Sequence, residues 1–233
     1  MTEPDSKQSN DTRERILDTA EALFTRHGFE ATTLRMITSA AHVNLAAVNY
    51  HFGSKEGLIQ EVFRRRLGWL NQERLRALSE LEGAAGGAPL KPSQILDAFF
   101  GVSLRIAADT RHGGHTFMRL LGRTYTEPSA FIRSFLATEY ADVLERFKTA
   151  LFRALPDVPR EEIIWRLHFM LGAVSYAMTG TDALQLVTGI EAEDENPAAL
   201  VPRLMSFLLG GLRAPLPEIP AAPARDDATR RVA

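Results

Sequence analysis

Cysteine is absent from the 233 residues, which excludes disulfides, thiol redox sensing, thiolate nucleophiles and cysteine-based zinc or iron–sulfur centres. An excess of charge is also missing: 27 Lys and Arg face 29 Asp and Glu, for a formal net charge of −2. A basic coat over the whole surface is thereby ruled out, and any nucleic-acid surface must be local. Long apolar runs are lacking too. The stretch 169–178 is far shorter than a bilayer span and is broken by Gly172 and Ser175. Residues 1–10 are polar and mixed in charge, without the apolar core of a secretory signal, so a soluble cytoplasmic protein is expected.

What the chain does have is helical periodicity, with no strand-like alternation long enough to compete. Asp11 and Glu14 have the spacing of a capping box, and Ile16, Leu17, Ala20, Leu23 and Phe24 then fall on one face. Gly28 stands where a left-handed cap would end that helix, over about 11–27. Thr32 and Thr33 are N-cap candidates for a short helix from Leu34 to Ala41, and after a tight break a third runs from Leu45 to Phe52. Ser54 caps a long fourth helix that reaches the Gly- and Ala-rich stretch 83–89. Further helices are expected over 95–109, 116–125, 129–155, 160–183 and 198–213. The fold class is all-α, with about nine helices. The domain reading is a disordered N-terminus at 1–10, a helix-turn-helix unit at 11–54, a connecting helix at 55–82, a C-terminal unit at 83–214 and a disordered Pro-rich tail at 215–233.

Two short helices joined by a tight turn after a longer one form a helix-turn-helix arrangement, whose second helix enters the DNA major groove. The third helix suits that role: Asn44, Asn49, Tyr50 and His51 offer hydrogen-bonding groups, and Ala46 and Ala47 let the backbone come close. Lys55, at a helix N-terminus, combines a cation with free backbone N–H groups where a phosphate would sit. Arg64, Arg65 and Arg66 lie farther along, where a solvated helix face is the better reading than a phosphate contact.

The runs Gly28–Ile37 and Val43–Leu58, ending in Tyr50-His51-Phe52 with Lys55 three residues on, resemble the signature of TetR-family transcriptional regulators. The resemblance implies that Thr33 and Lys55 hold phosphates, that Arg35 contacts DNA from the second helix, and that Tyr50 and His51 touch backbone or bases. Asn44, Ala46, Ala47 and Asn49 would face the groove of a double-stranded, palindromic operator. Asn49 departs from the Tyr often found there, and an Asn can contact adenine in bidentate fashion. The segments 117–122 and 165–173, with the Asn44–His51 run, resemble the PsrA-like branch. That branch implies a repressor released by a long-chain fatty acid or related acyl effector.

In the C-terminal unit, Phe99, Phe117, Met118, Phe169 and Tyr176 are candidates to line an apolar ligand cavity, because Met and Phe suit an aliphatic chain. Arg119, Arg123 and His168 are the candidate donors to a polar headgroup; each can equally be a surface ion pair or a satisfied core group. Small residues at Gly172, Ala173, Ala177 and Gly180, with Trp165, and the stripe holding Leu204, Phe207 and Leu208, suggest a homodimer interface, against the alternative of burial within the monomer. Asp109, His112 and His115 offer oxygen and nitrogen ligands with a His-x-x-His pattern, but the stretch reads better as a flexible loop and shows no fourth ligand, so neither a metal nor a cofactor is expected. An enzyme with an appended helix-turn-helix is the competing class. It is disfavoured because the C-terminal part shows no Gly-rich phosphate loop and no nucleophile–base set. Control by a protein partner rather than a small molecule is the other alternative.

Overall fold

The computed structural model describes residues 3–108, 114–126, 130–179 and 197–218. Among them are nine helices and no strand: α1 (Glu3–His27), α2 (Leu34–Ala41), α3 (Leu45–Phe52), α4 (Lys55–Ala85), α5 (92–108), α6 (Gly114–Thr126), α7 (Ala130–Ala154), α8 (Arg160–Thr179) and α9 (Pro197–Leu212). The loop around His112, the segment holding Gly180 and most of the acidic stretch before Pro197, and the tail from 219 lie outside the described residues.

Local chemistry explains the helix ends of the N-terminal unit. Gly28, at φ 81°, donates its N–H to the Phe24 carbonyl and closes α1. Thr33 caps α2, its hydroxyl accepting from the Met36 N–H at 3.2 Å. Thr32, the other cap candidate, is instead buried and donates to the Gly28 carbonyl at 2.7 Å. Asn44 Oδ1 caps α3 through the Ala47 N–H at 2.9 Å, and Ser54 Oγ caps α4 through the Gly57 N–H at 3.0 Å. His42 and Gly53 take positive φ of 52° and 73° to make the two reversals.

Three sequence-based boundaries move. The first helix begins at Glu3 rather than 11, so residues 3–10 are helical, not disordered. Pro4 falls in the first turn, where its missing N–H leaves no helix bond unmade, and no Gly or Pro follows until Gly28. Glu14 then sits inside a helix and bonds Arg13 and Arg65 instead of closing a capping box. The connecting helix continues through Gly83 to Ala85 and stops only where Gly86 and Gly87 turn to positive φ. Helix α5 starts at Pro92, three residues early, with Gln94 accepting from the Lys91 N–H.

The apolar core does not follow the drawn boundary between the units. Ile16, Leu17, Phe24, Ile37, Val48 and the first half of α4 pack with Phe117, Leu120 and Leu121 of α6 and Ile132, Leu136 and Tyr140 of α7 in one cluster. A second cluster gathers Leu78, α5, the second half of α7, α8 and α9. Helix α4 runs through both, a rod about 45 Å long at the usual helical rise.

Candidate nucleic-acid interface and effector cavity

Helix α3 is anchored by Val48 and Phe52, both buried, which turns Ala46, Asn49 and Tyr50 outward. Tyr50 is 82% exposed, its ring meeting that of half-buried His51 edge-on at 5.0 Å. Thr33 and Arg35 of the preceding helix are exposed as well, and Ala47 is half-buried against the core. Asn44 commits its side-chain oxygen to the α3 cap. Lys55 is half-buried: its ammonium lies 4.3 Å from the centre of the Phe29 ring and donates to the Glu30 carbonyl at 3.3 Å. These contacts pin the start of α4 to the loop after α1.

Gly57, singled out by no chemical argument from sequence, proves geometrically necessary. A Cβ there would stand inside contact distance of the Phe52 carbonyl oxygen, so only Gly lets α4 seat against the end of α3.

Arg64, Arg65 and Arg66, on the first half of α4, are committed to carboxylates, with Arg64 exposed and the other two half-buried. Arg65 reaches Glu21 at 2.6 Å, Asp18 at 2.8 Å and Glu14 at 3.1 Å, and Arg66 reaches Glu21 at 3.3 Å. Arg64 pairs with Glu61, which also takes Arg13. Burial alone would lower the Arg65 pKa, but the bonds to Glu21 and Asp18 outweigh it and raise it. The network fastens α1 to α4. Its signal in the sequence was the acidic spacing Glu14, Asp18, Glu21, one face of α1.

In the C-terminal unit an apolar cavity of about 230 Å³ opens between α5, α6, α7 and α8, with Phe99, Tyr125, Tyr140, Leu144 and Leu171 among its walls and exposed Arg133 on its lining. Of the residues expected to line a ligand site, Phe99 does so. Met118 borders only a satellite space of about 20 Å³, and Phe117 is core, packed against Phe63. Phe169 and Tyr176 face away, 65% and 52% exposed.

The expected headgroup donors are placed elsewhere. Arg119 and His168 are exposed on outer surfaces. Arg123 donates to the carbonyls of Thr25 and Arg26 at 2.8 and 3.1 Å, clasping the last turn of α1 from α6. Thr25 Oγ1 adds a bond to the Thr116 carbonyl.

The polar groups on the cavity wall are Thr124, Tyr125, Tyr140 and exposed Arg133, with Arg74 bordering the satellite space behind them. Tyr125 is two-fifths exposed, yet its hydroxyl is set in the interior beside Tyr140 and Arg74. Burial there pushes its pKa well above the ordinary tyrosine value.

Trp165, Phe169, Gly172 and Tyr176 lie at i, i+4, i+7 and i+11 and form an exposed stripe on α8, with Trp165 stacked on Phe169 at 5.8 Å. Ala173 and Ala177 are half-buried beside it, and Leu204 is half-buried and Phe207 exposed on α9. Leu208 departs from the interface expectation: it is 1% exposed and belongs to the monomer's second core. No group of His, Asp and Glu able to hold a metal occurs among the described residues, and no described helix is long and apolar enough to cross a membrane.

Residues 16–62 match the family described as bacterial regulatory proteins, tetR family. Residues 97–211 match the tetracyclin repressor-like C-terminal domain. Over 75 residues the chain is 39% identical to the probable acrEF/envCD operon repressor of Escherichia coli K12, covering 32% of this chain and 31% of that protein. Over 63 residues it is 38% identical to the HTH-type transcriptional repressor KstR2 of Mycobacterium tuberculosis, covering 27% and 32%. The chain thus spans about a third of the length of these curated relatives. Among solved structures, the probable transcriptional regulatory protein RHA5900 superposes with a TM-score of 0.55 at 22% identity, over 87% of this chain and all of that one. The fatty acid degradation regulator FadR from Bacillus halodurans gives 0.57 at 17% identity, over 87% and 96%.

Proposed function

The chain belongs to the TetR family of transcriptional regulators, and from that premise we propose that it is a dimeric repressor of a palindromic operator, released by an apolar acyl effector of the fatty acid or acyl-CoA type. Paired α3 helices read the major groove through Asn49, Tyr50 and the small face at Ala46. Thr33, Arg35, His51 and Lys55 position the unit on the sugar-phosphate backbone. The exposed α8 stripe supports the dimer, since a two-fold operator needs two recognition helices in fixed relation and such a stripe is costly to leave in water. The resemblance of 117–122 and 165–173 to PsrA-like regulators supports the acyl effector, as does the aliphatic and aromatic lining of the cavity.

The observation that carries the reading is the clasp between α6 and α1. Thr124 and Tyr125 line the cavity on the same helix turn as Arg123, which holds the last carbonyls of α1. An effector that pushes on α6 therefore displaces the N-terminal unit directly, and through α4 as well, because both helices join the first core. The shift occurs only to the extent that the effector binds the released state more tightly than the DNA-bound one. Titrating palmitate, oleate and palmitoyl-CoA into a labelled protein–operator complex, followed by fluorescence anisotropy, tests this. Release of DNA is expected; an operator still bound at saturating ligand sinks the acyl reading and spares the DNA-binding one.

A further inference from the structure

Arg74 is 4% exposed, and no carboxylate pairs with it among the described residues. Its guanidinium instead donates to three neutral oxygens: the Phe99 carbonyl at 3.1 Å, Asn71 Oδ1 at 3.2 Å and Ser103 Oγ at 2.6 Å. It lies 4.0 Å from the centre of the Phe99 ring and 5.5 Å from that of Tyr140. Those bonds use three of five N–H donors, leaving one on each terminal nitrogen. A cation withdrawn from water without a counter-charge is a standing cost unless something supplies one.

The surroundings are built to hold that cation beside open space. At Asp97–Gly101 helix α5 widens into a π turn, with the Val102 N–H bonding to Asp97 five residues back. The turn leaves the Phe99 carbonyl able to accept from both Arg74 and Ser103, and π turns of this kind gather at functional sites. The Tyr140 hydroxyl, on the cavity wall, is buried and meets no partner at full bonding geometry, its nearest polar group being the Tyr125 hydroxyl, with which it makes at most a weak hydrogen bond. The satellite space that Arg74 borders shares Tyr125 and Leu171 with the main cavity. A cation with no carboxylate among the described residues thus lies 5.5 Å from the ring of Tyr140, whose hydroxyl is on the wall of the apolar cavity.

We infer that Arg74 and Tyr140 form an anion anchor, and that the cavity takes a free carboxylate on an apolar tail rather than an ester or thioester. A carboxylate supplies the missing counter-charge and accepts from the Tyr140 hydroxyl. An ester or thioester carbonyl offers a neutral acceptor and leaves the cation unpaired. A cavity of about 230 Å³ lies just below the usual range of ligand pockets, about 300–1,000 Å³, which points to a tail of medium length rather than a long one. The inference deepens the effector reading above and rests on it for its regulatory sense.

The test compares dodecanoate, methyl dodecanoate and dodecanol binding to the full chain by calorimetry. Dodecanoate is expected to bind about tenfold or more tighter than either neutral analogue, as a charge-assisted bond in an apolar site implies. Tyr140→Phe, which strands no partner, should keep the native melting temperature and weaken dodecanoate about three- to tenfold, with dodecanol unchanged. Arg74→Gln should erase the preference for the acid; if that variant does not fold, Tyr140→Phe still decides. Equal affinity for all three probes, or a full preference for the acid in Tyr140→Phe, overturns the anchor. Adding operator DNA separates the two readings. Dodecanoate bound through Arg74 with DNA retained supports the anchor and sinks the effector role. Release by dodecanol as readily as by dodecanoate supports the effector role and overturns the anchor.

Discussion

Glu21 in the N-terminal unit and Arg74 in the C-terminal unit are both charged groups taken almost wholly out of water, at 3% and 4% exposure, but their neighbours differ. Glu21 receives two arginines, Arg65 and Arg66, and sits in a network that ties α1 to α4. Arg74 donates only to neutral oxygens and borders the satellite space of about 20 Å³ beside the cavity. The first unit pairs its buried charges with opposite charges and fills its core, although Glu21 Oε1 and Arg65 Nε are buried without a hydrogen-bond partner of their own. The second leaves Arg74 without a carboxylate among the described residues and the Tyr140 hydroxyl without a partner at bonding geometry. Helix α4 thus carries the Glu21-paired arginines in its first half and, in its second, Arg74 without a carboxylate beside Arg76, which pairs with Glu73 and Glu80 on the surface.

The comparison can be broken from the N-terminal side. Gly57→Ala should have the largest effect, about 3 kcal/mol in urea unfolding with loss of operator binding, because the added methyl meets a backbone carbonyl that cannot step aside. Glu21→Ala would leave Arg65 and Arg66 as unmatched as Arg74. A loss of about 2 kcal/mol is expected, below the usual figure for a buried pair because both arginines keep about a quarter of their side chains in water and can rehydrate. Little change on denaturation would show that the network is ornamental and the contrast false.

Smaller effects sharpen it. Arg123→Ala removes the clasp on α1 at about 1.5 kcal/mol. It should uncouple the units, so that effector still binds while much more is needed to release DNA; an unchanged release curve would remove α6 from the route. Asn49→Ala should alter preference between operator variants by about 1 kcal/mol if the side chain reads a base, and equal loss on every sequence would make it a positioning residue. Lys55→Ala should change least in specificity, weakening all sequences alike and lowering the salt slope by about 1. An unchanged slope would mean that Lys55 serves only its Phe29 contact.

How much was legible in the sequence follows from the range of the forces involved. The caps at Thr33 and Ser54 act within three residues, so the starts of α2 and α4 could be placed from the chain alone, whereas Asn44, read as a groove residue, proves to be the cap of α3. The outward face of α3 followed, because Val48 and Phe52 leave only one way to bury that short helix. Helix α8 resisted the same treatment. It is apolar on two faces, with Ile163, Met170 and Val174 in the core and Trp165, Phe169 and Tyr176 outside, and periodicity cannot say which stripe faces inward when both are apolar. Phe169, Tyr176 and His168 were therefore assigned to a ligand site they do not line. The pairing of Arg65 with Glu21 and the clasp of Arg123 on α1 join residues 44 and 98 apart; the acidic face Glu14, Asp18, Glu21 marks one end of the first without naming its partner, and no local pattern marks the second.

The sequence by itself determined that this chain is all-helical and that residues 33–55 present a helix-turn-helix with Asn49 and Tyr50 outward, because caps, turns and the apolar spacing of short helices are set by neighbours along the chain. Only the tertiary structure decided which arginines meet carboxylates and that Arg74 is buried without one, among the described residues, beside the cavity. That outcome depends on how α4, α5, α6 and α7 rotate against one another, and their rotation is settled by long-range packing that many sequence patterns satisfy equally well.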